Sequence, residues 1–320
     1  MQRKKRILIT GGAGFIGSHC VDLFLGNDFE VGVFDIKTPQ EAENLAHCLD
    51  AVVYIEGDIR DVVQLNAVMG EFTHVLHLAA EVSVQRSIEY PLQTHETNVT
   101  GTLNVLQSAS MHDVERVIYA SSAAVYGDTQ IVPTPEDAPL QPLSPYGVHK
   151  KMNEEYAELY AKQYGLLSTG LRFFNVYGSR QDPSSPYSGV ISIFDKCMKE
   201  GVCPTIYGDG FATRDFIHVH DVARVCLAVI ESEKELAPVY NIGTGIVVSI
   251  EELVQTLHKV HNVSHQPEYK SARIGDIVHS CALVERMNKD FGAQAELPIE
   301  KGLEELQKHE GSMENKSPMP

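Results

Sequence analysis

Along the first half of the chain, short unbroken apolar runs alternate with longer stretches in which apolar positions recur every third or fourth residue. Unbroken runs rich in β-branched residues predict strands buried on both faces, and the longer recurrence predicts helices. RILIT predicts a strand at 6–10, followed by a glycine turn and a helix over 15–25. EVGVFDI, AVVYIEGD, HVLHLAA, RVIYASS and STGLRFF predict five further strands. LNAVMG, HETNVTGTLNVLQSAS and VHKKMNEEYAELYAKQYG predict helices between them. Such alternation implies right-handed βαβ units, hence an α/β fold with a doubly wound parallel sheet and helices on both faces. Beyond Phe173 the pattern weakens into VYGSRQDPSSPYSG and IYGDGFATRD, which predicts a smaller, loop-rich α/β lobe at the sheet's C-terminal edge. The expected division is a first domain over 1–172 and a second mainly over 173–308. PVYNIGTG and the region near 215–245 return to the first, and a disordered tail covers 309–320.

Composition narrows the class of partner. The 320 residues are 43% hydrophobic and 22% charged, the balance of a soluble globular protein. A net charge of −17 argues against a nucleic-acid backbone or an anionic membrane as main partner. No run approaches the ~18 apolar residues of a membrane span. The basic start MQRKKR is followed only by ILIT, too short for the core of a signal peptide. The six cysteines (Cys20, Cys48, Cys197, Cys203, Cys226, Cys281) form no CxxC pair and read as reduced, buried thiols of a cytoplasmic protein.

The first candidate chemistry lies in ITGGAGFIGSHCVDLFL. Gly12, Gly14 and Gly17 spell GxGxxG, and Gly11, Gly14 and Gly17 the looser GxxGxxG. The pattern alone is weak, but here it follows a strand, opens a helix and precedes a strand ending in Asp35. In that context the glycines permit a tight turn, close approach of a pyrophosphate and helix–sheet packing. Unpaired N–H groups and the positive helix end would face the pyrophosphate. Asp35 would accept from ribose hydroxyls and repel a 2′-phosphate, which favours NAD over NADP.

The second lies in YASSAAVYG and SPYGVHK. Tyr146 and Lys150 are four apart and share one helix face. An ammonium beside a phenol is expected to lower its pKa, making a general base for a sugar hydroxyl at neutral pH. Ser122, at a strand end, could bond the same oxygen and relay its proton. YxxxK is common by chance as an ordinary helix-surface pair; the upstream dinucleotide loop and the serine-tipped strand give it weight.

With these motifs in place, the chain resembles the extended short-chain dehydrogenases/reductases, and among them the UDP-sugar 4-epimerases, over residues 6–306. The resemblance is carried by TGGAGFIG, GDIRD, HLAA, TNVTGTLNVL, YASSAAVYGD, PYGVHK, LRFFNVYG, DGFATRDFIHVHDVA, YNIGTG and RIGD. It implies a Rossmann fold, an NAD cofactor and C4 epimerisation of a UDP-hexose through a transient 4-keto sugar. Ser122, Tyr146 and Lys150 fall on the catalytic triad. Gly11, Gly14, Phe15, Ile16, Gly17, Asp35, Asp58, Ile59, Ala79, Ala80 and Asn98 fall on cofactor positions, with Tyr146 and Lys150. Ser83, Ser122, Asn175, Gln181, Val190, Arg214, Arg273, Asp276 and Ser280 fall on substrate positions. Arginine forks and amide donors suit a diphosphate. The resemblance also implies a homodimer through a four-helix bundle built by HETNVTGTLNVLQSAS and the helix after Tyr146.

Ser280 bears on which sugar is taken. Where the family is restricted to glucose and galactose, this position carries a bulky tyrosine beside the C2 substituent; a small residue leaves room for an acetamido group. UDP-GlcNAc and UDP-GalNAc are therefore expected substrates, unless another side chain such as Tyr187 closes the pocket. Two other functions share the scaffold. A 4,6-dehydratase usually carries an acidic pair where this chain has Ala123 and Ala124, which cannot transfer protons. A non-catalytic NAD-binding regulator would typically lose the tyrosine or the lysine. No metal site is expected. The resemblance implies a strand running into a helix at HVHD, 218–221, with Asp221 as N-cap, and His258, His261 and His265 read as solvent-exposed. The Met and Tyr positions of KMNEEYAELYAKQYG read as a core stripe plus a dimer face.

Overall fold

The computed structural model describes residues 5–182, 189–264, 266–272, 277–292 and 295–314. Its first half runs β1 (Arg6–Thr10), α1 (Phe15–Leu25), β2 (Glu30–Asp35), β3 (Val53–Glu56), α2 (Val62–Met69), β4 (His74–His77), α3 (Val84–Glu89), α4 (Pro91–His95), α5 (Gly101–Met111), β5 (Arg116–Ser122), α6 (Pro145–Tyr164) and β6 (Ser168–Phe173). The second half runs β7 (Asn175–Tyr177), α7 (Val190–Glu200), β8 (Thr205–Tyr207), β9 (Thr213–Arg214), β10 (Phe216–His218), α8 (Val219–Glu231), β11 (Val239–Ile242), β12 (Val248–Ser249), α9 (Ile250–His261), β13 (Glu268–Lys270), α10 (Glu285–Phe291) and α11 (Ile299–Glu314).

Seven parallel strands form one sheet in the order β11-β6-β5-β4-β1-β2-β3. The unbroken apolar runs are its interior. Ile7, Leu8, Ile9, Val75, Leu76, Val117 and Ile118 are all fully buried, as strands covered on both faces require. One face carries α1 and α8, packed on each other over Cys20, Val21, Phe24, Val222, Cys226 and Val229. The other carries α2, α5 and α6 over Leu65, Met69, Val105, Leu106 and Ala157. The strand order reverses between β1 and β4, and ligands of such sheets bind at the carboxyl ends around that switch point. This is a Rossmann doubly wound fold, with β11 returning late as the edge strand beside β6.

Beyond Phe173 the chain is more regular than its sequence pattern suggests. The helices α7 and α9 pack on each other and α11 packs on α9, over Ile191, Phe194, Leu253, Leu257, Leu303 and Leu306. The helix α11 continues to Glu314, into the span expected as a tail, and residues 315–320 lie outside the described residues. Asp221 is not the N-cap of α8. The cap is His218, whose ring accepts from the His220 amide, while Asp221 is buried and accepts the amides of Glu296 and Leu297 at 3.3 Å. Nor is His261 solvent-exposed: its side chain is 5% exposed and lies 2.7 Å from the Asp195 carboxylate, a partner 66 residues away in sequence. His265 lies outside the described residues. All six cysteines are free, but Cys203 is exposed and Cys48 and Cys197 are only half-buried.

The stripe on α6 is also of a different kind. Its buried face is Gly147, His149, Lys150, Asn153, Glu154 and Ala157, while Tyr156 and Tyr160 are half-buried at its flank. A polar face enters the interior because partners wait there. Glu154 accepts from Ser121 at 2.5 Å and from Arg172 at 2.8 and 2.7 Å, and Arg172 also donates to the Tyr126 hydroxyl and the Glu136 carbonyl, both at 2.7 Å.

Candidate active site

The carboxyl ends of β1, β2, β4, β5 and β6 open into a cavity of about 650 Å³. At its floor the glycine turn has no room for side chains. Gly11 has φ +73°, and a Cβ there would sit 2.7 Å from the Ala79 nitrogen; at Gly17 it would sit 2.2 Å from the Gly11 oxygen. Of the four glycines, Gly11, Gly14 and Gly17 line the cavity, whereas Gly12 abuts Val33. The helix α1 runs from Phe15 with Gly14 as its N-cap, the Gly14 amide donating to the Gly11 carbonyl at 3.1 Å, and it has no side-chain cap and no acidic residue in its first turn. Its first amides are therefore uncommitted, with the positive end of the helix dipole behind them.

Asp35 ends β2 as a buried carboxylate that accepts the Ala13 amide at 2.9 Å and the Lys37 amide at 3.1 Å. It braces the glycine turn from below and also lines the cavity. Phe15, Ile16, Asp58, Ile59, Ala79 and Ala80 line it too. Asn98 stands behind the wall, in a π-helical turn over 96–100. Its side-chain amide donates to the Glu81 carbonyl and accepts from the Glu81 N–H, both at 2.8 Å. Residues that the motifs did not single out also line the cavity: Lys37, Arg60, Glu81 and Thr97. Arg60 forks onto Asp58, and that pairing holds the Asp58 carboxyl below its ordinary value. An arginine two residues after an aspartate was the available signal. A groove with uncapped helical amides at one end and a ribose-facing carboxylate at the other fits a dinucleotide.

Ser122, Tyr146 and Lys150 meet in the same cavity. Ser122 is the last residue of β5, and its Oγ accepts the Ala124 amide at 3.2 Å. Ser144 caps α6 and Pro145 opens it, which places Tyr146 in the first turn; the Tyr146 amide donates to Ser87 Oγ at 3.1 Å. Lys150 lies one turn on, with Nζ donating to the Ala120 carbonyl at 2.7 Å and 5.7 Å from the Tyr146 ring centre. Burial pulls the Lys150 ammonium down to about 8, opposed by Glu154. The Tyr146 phenol departs from expectation. Burial raises it above its ordinary value, and what opposes the rise is a hydrogen bond from Ser122, not the lysine. The lysine is turned toward a backbone carbonyl, so it compensates the phenol only weakly.

Below this group, buried His77 bridges Thr10 at 2.7 Å and Thr102 at 2.9 Å. Desolvation drives its imidazole down to about 3. A neutral His77 adds no second charge beside Lys150.

The substrate-side positions divide, and Val190, Arg214 and Ser280 are not among the residues that line the cavity. Asn175 and Gln181 line the cavity, and Gln181 accepts from Ser192 of α7 at 2.7 Å. Val190 is the first residue of α7. The Ser280 amide donates to the Thr213 carbonyl at 3.2 Å, and Arg214 donates to that same carbonyl at 2.8 Å, so these two positions adjoin. Ser83 caps α3, accepting the Arg86 amide at 2.9 Å, and is not among the cavity-lining residues. Arg273, Asp276 and Tyr187 lie outside the described residues.

Comparison with known proteins agrees with this geometry. The sequence model described as the NAD dependent epimerase/dehydratase family matches residues 7–243. A putative UDP-glucose 4-epimerase of Methanocaldococcus jannaschii is 37% identical over 94% of this chain and 96% of its own length. The UDP-N-acetylglucosamine 4-epimerase of Methanobrevibacter ruminantium, solved with UDP-N-acetylmuramic acid, superposes with a TM-score of 0.92 at 34% identity, covering 98% of this chain and 100% of that one. A UDP-glucose 4-epimerase of Thermus thermophilus in complex with NAD gives 0.86 at 33% identity, covering 95% and 98%. The glycine floor, the switch-point cavity and these matches agree: the chain belongs to the NAD dependent epimerase/dehydratase family, and its cofactor is NAD.

Proposed function

We propose that this chain interconverts UDP-hexoses at C4, including the pair UDP-GlcNAc and UDP-GalNAc. The observation that carries the reading is the convergence of Ser122, Tyr146 and Lys150 in the cavity floored by the glycine turn. NAD when bound would rest on Gly11, Gly14, Gly17 and Asp35 and supply a reversible hydride acceptor. Tyr146 takes the proton of the 4-hydroxyl, and Ser122 hydrogen-bonds the same oxygen and relays its proton. Lys150 brings a positive charge to 5.7 Å from the Tyr146 ring centre, with its ammonium donating to the Ala120 carbonyl rather than to the phenol. Return of the proton from Tyr146 completes the cycle after the sugar has presented its other face. Asn175, Arg214 and Arg273 grip the diphosphate, which leaves the hexose free to turn.

Relatives described as UDP-glucose 4-epimerases and a neighbour described as a UDP-N-acetylglucosamine 4-epimerase support the reaction class. For the acetylated sugar, the support is the small residue at Ser280 beside Arg214. A tyrosine in that wall would overlap an acetamido group at a cost of ~1–3 kcal/mol. The dehydratase reading gains nothing, since Ala123 and Ala124 form the short turn after Ser122. The test is turnover of UDP-glucose and UDP-GlcNAc with no added nicotinamide cofactor, in wild type and Ser280→Tyr. Wild type should convert both, and the variant only the plain sugar. Failure of wild type on UDP-GlcNAc would refute the sugar assignment, and a product lighter by one water would refute epimerisation.

A homodimer through α5 and α6 is part of the reading, supported by the exposed Met111, Leu159 and Tyr164 on these helices. Light scattering that gives one chain's mass at working concentration would exclude it.

A further inference from the structure

We propose that His218, His220 and Glu305 form a binding site for a divalent metal of the zinc class, which pins the C-terminal helix α11 onto the junction of β10 and α8. One ligating atom from each of the three lies within 4.8 Å of the others. Ligands around tetrahedral zinc stand ~3.4 Å apart, given Zn–N bonds of about 2.0–2.1 Å. Small side-chain rotations close that gap, and the exposed His220 and Glu305 are free to make them. Two imidazoles and one carboxylate suit zinc and its neighbours better than calcium or magnesium, which take oxygen donors.

The site lies behind the NAD cavity, separated from it by two rings: Phe15, which lines that cavity, is 6.1 Å from His19, and His19 is 5.0 Å from His220. His218 is 2% exposed and fixed at the end of β10, with its ring edge-on to Tyr177 at 5.2 Å and to His220 at 4.7 Å. Its Nδ1 receives only a long 3.3 Å contact from the His220 amide, so the tautomer is weakly held and a ring nitrogen can turn to a metal. The three residues line or rim a cavity of about 470 Å³, which leaves the fourth coordination position to water. Arg180 and Arg224 also line it; Arg224 pairs with Asp221 at 3.0 Å and Arg180 with Asp22 at 2.8 Å through Nη2, while Arg180 Nη1 is buried with no hydrogen-bond partner among the described residues.

A second observation concerns the helix that brings Glu305. α11 comes so close that a Cβ on Gly302 would lie 2.2 Å from the Tyr177 hydroxyl. That hydroxyl is buried and has no hydrogen-bond partner among the described residues. Glu305 follows Gly302 by nearly one turn on the same side, and a carboxylate drawn in to a metal would come within reach of this stranded donor, as ligating carboxylates usually have such a partner.

The test titrates zinc chloride into the untagged, NAD-loaded chain after EDTA treatment and desalting, following heat release and the thermal midpoint. Wild type should bind one zinc per chain, with a raised midpoint. His220→Ala and Glu305→Gln should each weaken binding at least tenfold and abolish the midpoint rise, while circular dichroism and retained NAD match wild type. The proposal is overturned if wild type binds no zinc, if both variants bind as wild type does, or if Cys48→Ser alone removes binding. That last outcome would move the metal to the group Asp22, His47 and Cys48.

Discussion

The buried ion pair under the catalytic strand allows a worked prediction. Glu154 and Arg172 are 8% and 4% exposed, and the carboxylate takes both guanidinium bonds as well as the Ser121 hydroxyl. Glu154→Ala leaves the Arg172 charge inside the sheet with only the Tyr126 hydroxyl and the Glu136 carbonyl as partners. Stranding one member of a buried pair costs about 3–5 kcal/mol. An exposed pair such as Lys162 with Glu158 is worth about 0.5 kcal/mol at most. For a chain of this size about 2 °C is lost per kcal/mol, so the thermal midpoint should fall by roughly 6–10 °C. Replacing both members, Glu154→Leu with Arg172→Met, removes both desolvated charges and should recover most of that loss. Melting by circular dichroism at fixed NAD concentration reads all three chains. If Glu154→Ala melts within about 2 °C of wild type, or the double variant is no better than the single one, the pair is not the interior constraint described.

Three further expectations follow from the same site. Tyr146→Phe should lower kcat by ~10²–10⁴ with NAD retained, because it deletes a proton acceptor and little packing; a loss under twofold would remove Tyr146 from its role. Gly17→Ala should empty the protein of NAD while it stays folded, since the added Cβ meets the Gly11 backbone oxygen at 2.2 Å; wild-type NAD content after desalting would contradict this. In the NAD-free chain, the Lys150 charge opposes folding in full below about pH 8 and ceases to do so as pH rises toward 10.5. Lys150→Met should therefore be the more stable protein at pH 7, by about 3 kcal/mol, and lose that advantage by pH 10.5; a pH-independent difference would show that Lys150 is not desolvated.

The parallel sheet was legible because strands covered on both faces read as unbroken apolar runs, and the span 15–25 predicted for the first helix is that of α1. The glycine floor was legible because close backbone contacts admit no other residue. The second lobe was not. Its α8 is capped by a histidine, an unusual cap, and α9 hides a capping box of Ser249 and Glu252 among glycine- and valine-rich turns. The polar face of α6 was illegible for another reason. Nothing local distinguishes Glu154 from its exposed neighbour Glu155, since what buries it is Arg172 and Ser121, 18 and 33 residues away. The weak hold of Lys150 on Tyr146 was equally hidden, because helical spacing sets which face the ammonium shares but not that it donates to Ala120.

The central claim, that C4 is oxidised and reduced by the same enclosed hydride while Tyr146 carries the proton, is tested by substrate labelled with deuterium at C4. UDP-glucose carrying deuterium at that carbon is incubated in ordinary water with no added nicotinamide, and the UDP-galactose formed is examined by NMR and mass spectrometry. The account predicts that the product keeps the deuterium at C4 and takes no solvent hydrogen there. Product with hydrogen at C4, or deuterium released into water, would contradict it.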